Sequence, residues 1–479
     1  MHFDSLIFLS FFLVFFFLYW FVFNKKNEIQ NILILIGSYC FYGWWDWRFL
    51  FLLIGISALN FYLGIKISKS SSDQWRKIYL NIGLFQGIGG LIYFKYFNFF
   101  ITSFKESFAA FGVNFDIHTL NIMVPLGISF FTFRTISYLL DVENERIEAS
   151  DDALIFFNYV SFFPSILSGP VDKARDFIPQ LEKKRIFKYE NAVDGLKQIL
   201  WGLFKKLVIA NNCALLVNKI FADFEALPSS CLWLAMFLYF FEVYADFSGY
   251  SDMAIGISKL LGFDISKNFD FPMFAQNIPE YWRKWHISLT SWFTEYVFTP
   301  LSFKFRKFKK WGLILAIVIN FIIIGIWHGA NWTYVLYGFI HGLFFIPTIL
   351  KGTFNKNEKA DLYKKSSSLL KAVNIITTLI PVMFTFILFK FPTVTEAFKY
   401  YGKMFSSNFF IAPTAVPLYF IGLFVFFILI EWSGRTQDYA IKKSCSKFPI
   451  VFRMVFYYLI IAALFIFSGR EQEFIYFKF

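Results

Sequence analysis

Residues 325–332 read Gly-Ile-Trp-His-Gly-Ala-Asn-Trp and hold one histidine, His328, between two strongly apolar stretches. The stretch before it, 311–327, is WGLILAIVINFIIIGIW, and the stretch after it, 332–350, is WTYVLYGFIHGLFFIPTIL. Each has about the length of a membrane-crossing helix. An ionisable side chain at such a depth is costly to keep, so His328 is a candidate functional residue. Its imidazole titrates near neutrality, which suits moving a proton. The bland alternative is a buried histidine bonded to a backbone carbonyl. Gly329 favours the functional reading because it lets a substrate approach closely, and Asn331 because it offers both a donor and an acceptor.

The rest of the chain has the same texture. It is 57% hydrophobic and only 16% charged, so a polytopic membrane protein is expected and a soluble domain is not. Candidate spans fall at 5–23, 31–43, 48–66, 78–101, 122–140, 153–169, 193–218, 231–247, 311–327, 332–350, 368–389, 416–432 and 450–468. The expected fold is all-α, with about 11–13 spanning or re-entrant helices in a single membrane domain, 1–479. Within it we distinguish N-terminal spans (1–140), a core (141–350) and C-terminal spans (351–479). No internal repeat is visible, which argues against a transporter built of inverted halves. Cys40, Cys213, Cys231 and Cys445 are scattered and read as buried thiols, with no metal site.

The net charge of +13 sits in loops between apolar runs, so it reads as positive-inside topology and not as nucleic-acid binding. The run Ser5–Phe23 is followed by Lys25 and Lys26 and lacks a cleavage site, so it is expected to stay as a span with the N-terminus outside. The basic clusters Lys173–Lys188, Lys304–Lys310, Lys351–Lys371 and Arg435–Lys447 then mark the cytoplasmic face. Two of them bracket 311–350. If that segment is a hairpin, His328 lies at its far tip, roughly 25 Å from the basic ends.

Residues 264–302 mix apolar and charged side chains. Pro279 and Glu280 suit a helix start, and Trp282, Trp285, Leu289 and Trp292 share one side of a helix over 279–296. This predicts an amphipathic helix at the cytoplasmic interface or tucked beneath it. On it, Arg283 and Lys284 can bind donor phosphates, with Trp282 and Trp285 beside them; membrane anchoring is the competing reading. His286 lies on the same stretch. With His328 it suits acyl transfer, in which an imidazole takes a hydroxyl proton or accepts the acyl group itself. His341, on the following span, reads as a polar packing contact. Asp246 and Asp252 can orient a histidine or bind a cation; they equally suit helix caps, since Asp246 and Ser248 precede an expected helix from 250.

Several long stretches together carry a family resemblance: VPLGISFFTFRTISYLLDV (124–142), SFFPSILSGP (161–170), YADFSGYSDMAIGISKLLGF (244–263), NFDFPMFAQNIPEYWRKWHISLTSWF (268–293), GIWHGANWTYVLYGFIHG (325–342) and the terminal FIYFKF (474–479). The chain resembles the membrane-bound O-acyltransferases (MBOAT), in their bacterial branch that O-acetylates alginate-like exopolysaccharide or peptidoglycan. The resemblance implies helices around a thin central layer with two funnels. It implies catalytic roles for His328 and His286, with Trp327, Gly329, Asn331, Asp246 and Asp252 in support. It implies acetyl-CoA as a cytoplasmic donor substrate with no permanently bound cofactor, and an inner-membrane location. The acceptor it implies is a polysaccharide, reached directly or through a periplasmic SGNH-type acetyltransferase. Thr294-Glu295 and Ser302-Phe303 replace an Arg-Asp pair and a Gly-Gly turn common in the family. The rival readings are a D-alanyl transferase of teichoic-acid type fed by a carrier protein, and a transporter without chemistry.

Overall fold

A computed structural model describes the whole chain except residues 110, 114–117, 355–366, 414–415, 444–447, 471 and 476–479. Cys445, much of the two later basic clusters and most of the terminal FIYFKF therefore lie outside the described residues. Regular structure among the described residues is helical throughout. Seven of these helices are long and apolar enough to cross a membrane, and Leu6–Val22 and Leu418–Gly434 are shorter apolar segments. The stretches 31–43, 122–140 and 153–169 yield helices below that length, and the helix over 78–91 carries more polar side chains. Cys213 and Cys231 are buried as expected, but Cys40 is exposed on the outer side of its helix.

The chain divides into two compact units, one formed by 1–196 with 254–266 and the other by 197–253 with 267–479. The first contains α1 (Leu6–Phe17), α2 (Asn27–Gly43), α3 (Arg48–Lys69), α4 (Asp73–Leu91), α5 (Phe97–Ala109), α6 (Ile128–Glu143), α7 (Ala153–Ser161) and α8 (Ala174–Glu182). The end of α7 and the buried turn after it are held by Arg134 of α6. Its guanidinium donates to the Tyr159 and Val160 carbonyls at 2.9 and 3.2 Å and to Ser165 Oγ at 2.5 Å. A buried cation needs acceptors of this kind. Gly127 starts α6 at φ +72°, and a Cβ there would lie 2.5 Å from the Ile166 carbonyl oxygen. Only glycine fits both the backbone and the space. This is why 153–169, read as one span, is a nine-residue helix followed by a turn.

Two helices contribute to both units: α9 (Tyr189–Leu203) and α11 (Ser229–Leu260). Within the second unit they cross closely, for a Cβ on Gly202 would lie 2.6 Å from the Gly249 carbonyl oxygen and one on Gly249 2.7 Å from that of Gly202. Small residues at such a crossing let helix backbones touch. After α9 the chain widens into a π-helical stretch, Phe204–Ala210, before α10 (Asn211–Ala222). Lys205 and Lys206 lie in that stretch and both reach α11. Lys205 pairs with Asp252 and Lys206 with Asp246, each at 2.6 Å. The expectation that Asp246 and Ser248 cap a helix from 250 is thereby corrected: α11 is continuous, and the carboxylates are mid-helix counter-charges. Two lysines in one apolar stretch are tolerable because the next long helix supplies both anions.

The remaining helices of the second unit are α12 (Ile278–Lys284), α13 (Ile287–Phe293), α14 (Thr299–Lys304), α15 (Lys309–His328), α16 (Trp332–Phe344), α17 (Ile346–Leu350), α18 (Ser368–Phe386), α19 (Val394–Met404), α20 (Leu418–Gly434) and α21 (Ile450–Phe467). The helix expected over 279–296 is two helices. His286 stands between α12 and α13 at φ +45°, in the left-handed region. Histidine is among the few side chains enriched there, and one such residue ends a helix. All four members of the predicted apolar stripe are buried, so this segment packs inside the protein.

Removing one partner of a buried ion pair strands the other charge. Lys206→Met is therefore expected to destabilise the protein by about 3–5 kcal/mol. The double variant Lys206→Met, Asp246→Leu should recover most of that loss. Thermal unfolding in detergent checks this; a single variant as stable as wild type contradicts it.

Candidate active site

The hairpin read from the sequence is present. α15 and α16 pack backbone to backbone: a Cβ on Gly325 would collide with the Tyr334 carbonyl oxygen, and one on Gly338 with that of Phe321. His328 is the last residue of α15 and is 7% exposed. Its neighbours are aromatic. The rings of Trp327, Phe389 and Tyr337 lie 5.0, 5.2 and 6.0 Å from the imidazole, centroid to centroid. Gly329 is extended, at φ −173°, so its backbone is ordinary. Glycine is needed there because a Cβ would meet the Tyr334 ring. Asn331 caps α16, its Oδ1 accepting from the Thr333 amide at 2.9 Å, and its Nδ2 donates to the Pro392 carbonyl at 2.6 Å. It holds the turn after His328 in shape.

His286 is 1% exposed and belongs to the same unit. The indole of Trp327 lies against both histidines, 6.0 Å from His286 and 5.0 Å from His328. Phe247 of α11 meets His286 edge-on at 4.6 Å. The structure thus brings His286 together with Trp327 and His328, which follow it by 41 and 42 residues in sequence. Burial, and secondarily the neighbouring His328, hold the His286 imidazole well below the usual histidine range. It is a neutral base at neutral pH, the form that can take a proton.

Asp246 and Asp252 occupy a different position from the one expected. Besides its lysine, Asp246 accepts from the Ile475 amide at 2.8 Å, and Asp252 accepts from Gln198 Nε2 at 2.8 Å. These bonds join α11 to α9, the π-helical stretch and the C-terminal segment. Sequence reading missed Lys205, Lys206 and also Glu431, which accepts from Trp201 Nε1 at 2.8 Å and Tyr244 Oη at 2.7 Å. The signal was present: charges inside apolar stretches imply partners in other apolar stretches.

The four residues expected to bind a donor separate into two groups. Trp282 and Trp285 are buried, each 3% exposed. Trp282 Nε1 donates to His341 Nδ1 at 3.1 Å, and His341 Nε2 meets Thr385 Oγ1 at 2.8 Å. His341 is therefore the polar packing contact the sequence suggested. Arg283 and Lys284, in contrast, line a cavity of about 1050 Å³ with Lys351, Lys371, Arg435 and Trp432. Glu280 also lines it and pairs with Lys284 at 3.1 Å. Among the described residues, five cations and one carboxylate line the cavity, and Arg435 stacks on the Trp432 ring at 3.9 Å. Phosphates and a planar base suit such walls.

The depressed His286 pKa links folding to pH. The unfolded histidine takes a proton as pH falls below about 6.5, while the buried one resists until well below that. Its contribution to stability is thus complete above about 6.5 and declines as pH falls, by up to about 1.4 kcal/mol per pH unit. His286→Asn should lose stability less steeply than wild type between neutral and mildly acidic pH. Parallel pH–stability curves for the two proteins contradict this.

Comparison with known proteins bears on the chemistry. The chain is 32% identical to the probable alginate O-acetylase AlgI of Pseudomonas aeruginosa, over 85% of this chain and 75% of the relative. It is 32% identical to the peptidoglycan O-acetyltransferase of Helicobacter pylori over 67% and 64% of the two chains, and 30% identical to the teichoic acid D-alanyltransferase of Streptococcus thermophilus over 57% and 69%. The model of the MBOAT, membrane-bound O-acyltransferase family matches residues 134–389, which hold His286, Trp327 and His328. These matches set aside a transporter without chemistry. With its apolar helices and its family match together, the chain is a multi-pass membrane enzyme, an O-acyltransferase that belongs to the MBOAT family.

Proposed function

We propose that the protein moves an acetyl group from cytoplasmic acetyl-CoA across the inner membrane for O-acetylation of a cell-surface or cell-wall polysaccharide. The observation that carries this is the pair of buried imidazoles, His286 and His328, both in ring contact with one indole, Trp327, within the family region. The acceptor class is supported by the names of the alginate and peptidoglycan relatives. The donor is supported by the basic cavity, whose Arg283, Lys284, Lys351, Lys371 and Arg435 suit phosphates and whose Trp432 suits an adenine ring. In this reading the N-terminus lies outside and the basic clusters inside, which is supported by Lys25 and Lys26 directly after the first apolar run.

The reaction balances simply. His328 takes the proton of an acceptor hydroxyl as the oxygen attacks the thioester carbonyl. The C–O bond forms and the C–S bond breaks. The proton then passes to the departing thiolate, giving free thiol and ester. Backbone amides at Gly329 can stabilise the oxyanion. In the covalent variant His328 carries the acetyl group first. A periplasmic SGNH-type protein is the proposed onward partner for the glycan. A second reading, D-alanyl transfer from a carrier-protein thioester, is favoured by the D-alanyltransferase relatives.

Reconstituted vesicles loaded with an acceptor test both readings. Labelled acetyl-CoA outside should give labelled ester inside with wild type and at least about a hundredfold less with His328→Ala. Arg283→Glu and Arg435→Glu should raise KM for acetyl-CoA with little change in kcat, as loss of uniform binding does. Equal transfer by wild type and His328→Ala contradicts the catalytic assignment. Transfer only from a D-alanyl carrier thioester selects the second reading.

A further inference from the structure

The segment before α12 folds back on the helix break that carries His286. The Asn268 carbonyl accepts from the Ile287 amide at 2.8 Å, and the Asp270 amide donates to the Lys284 carbonyl at 3.0 Å. Between these two anchors the chain holds His286 at its left-handed φ of +45°. Asn268 itself is fully buried, at 0% exposure. Its side chain joins three others. Ser288 Oγ donates to Asn268 Oδ1 at 2.6 Å, Asn268 Nδ2 donates to Ser251 Oγ of α11 at 3.1 Å, and Asn268 Oδ1 lies 3.3 Å from His286 Nδ1.

A carboxamide oxygen only accepts, so the ring nitrogen facing it must carry the proton. We infer that Asn268 is a positioning residue that fixes His286 as the Nδ1–H tautomer and leaves Nε2 as the basic nitrogen. The proposal rests on the acyl-transfer reading for its catalytic meaning, though not for its structural content. The arrangement is the third member of a base–orienter pair, in which a group behind the imidazole sets its tautomer and its angle. An amide orients without charge. A carboxylate in its place would stabilise the imidazolium and weaken the base at neutral pH.

The surroundings contain charges whose effect is accounted for. His286 is packed by Phe247 of α11, by Phe269 of its own loop and by Trp327 of α15. On α15, His328 acts on it electrostatically. On α11, Asp246 and Asp252 are paired with Lys206 and Lys205. In the loop Asp270 is paired with Lys267, and on α12 Glu280 with Lys284, leaving Arg283 at the cavity.

The test uses the full chain labelled with ¹⁵N-histidine in lipid nanodiscs, with the His286 signals assigned by their loss in His286→Gln. We expect a protonated-type Nδ1 and an unprotonated-type Nε2 at neutral pH. An Nε2–H tautomer at His286 in wild type overturns the proposal, and this readout stands even if no acyl transfer is found. Asn268→Asp should move the acid limb of the pH–rate profile up by about one pH unit or more. Asn268→Leu should lower kcat about tenfold or more with KM for acetyl-CoA unchanged and the tautomer no longer fixed. A purely structural role would lower the amount of folded protein and leave the pH profile of the remainder in place. A profile for Asn268→Asp that superimposes on wild type therefore overturns the proposal as well.

Discussion

The close approach of α15 and α16 is the constraint on which the site depends. Gly325 and Gly338 remove the side chains that would hold the two backbones apart. Only then can α15 end with its last residue, His328, enclosed by Trp327, Tyr337 and Phe389 instead of by water. Asn331 completes the turn by capping α16 and tying it to Pro392. The same logic is repeated at His286, which is enclosed by Phe247, Phe269 and Trp327 and held by a backbone conformation that few residues adopt.

Charges elsewhere in the second unit obey a complementary rule. Where the chain places cations in an apolar stretch, as at Lys205 and Lys206, α11 answers with Asp252 and Asp246. The crossing at Gly202 and Gly249 brings the two stretches near enough for short bonds. Other cations, Arg283, Lys351, Lys371 and Arg435, line an open cavity. One unit therefore contains two buried histidines in an apolar interior and a cavity lined by cations.

Much of this was legible in the sequence. Periodicity and length marked the 311–350 hairpin, and an ionisable side chain between two apolar runs singled out His328. The break at His286 was hidden because no glycine or proline marks it, and the tryptophan stripe runs through it with helical spacing. Of the two placements that stripe allowed, at the interface or tucked beneath it, burial of Trp282 and Trp285 agrees with the second, while Arg283 and Lys284 reach the cavity. Asp246 and Asp252 looked like caps because their partners, two adjacent lysines, lie in another apolar stretch. Asn268 could not have been singled out, for its role depends on a loop folding back onto residues 286–288. Long-range pairings of this kind leave no local pattern.

The central claim is that a donor held in the basic cavity delivers its acyl carbon to the buried histidines. A structure determined by electron cryo-microscopy with a non-hydrolysable acetyl-CoA analogue tests it most directly. The account predicts phosphates among Arg283, Lys371 and Arg435, with the acyl end within hydrogen-bond reach of His328. An analogue seated away from the cavity, or with its acyl end remote from both His286 and His328, would contradict it.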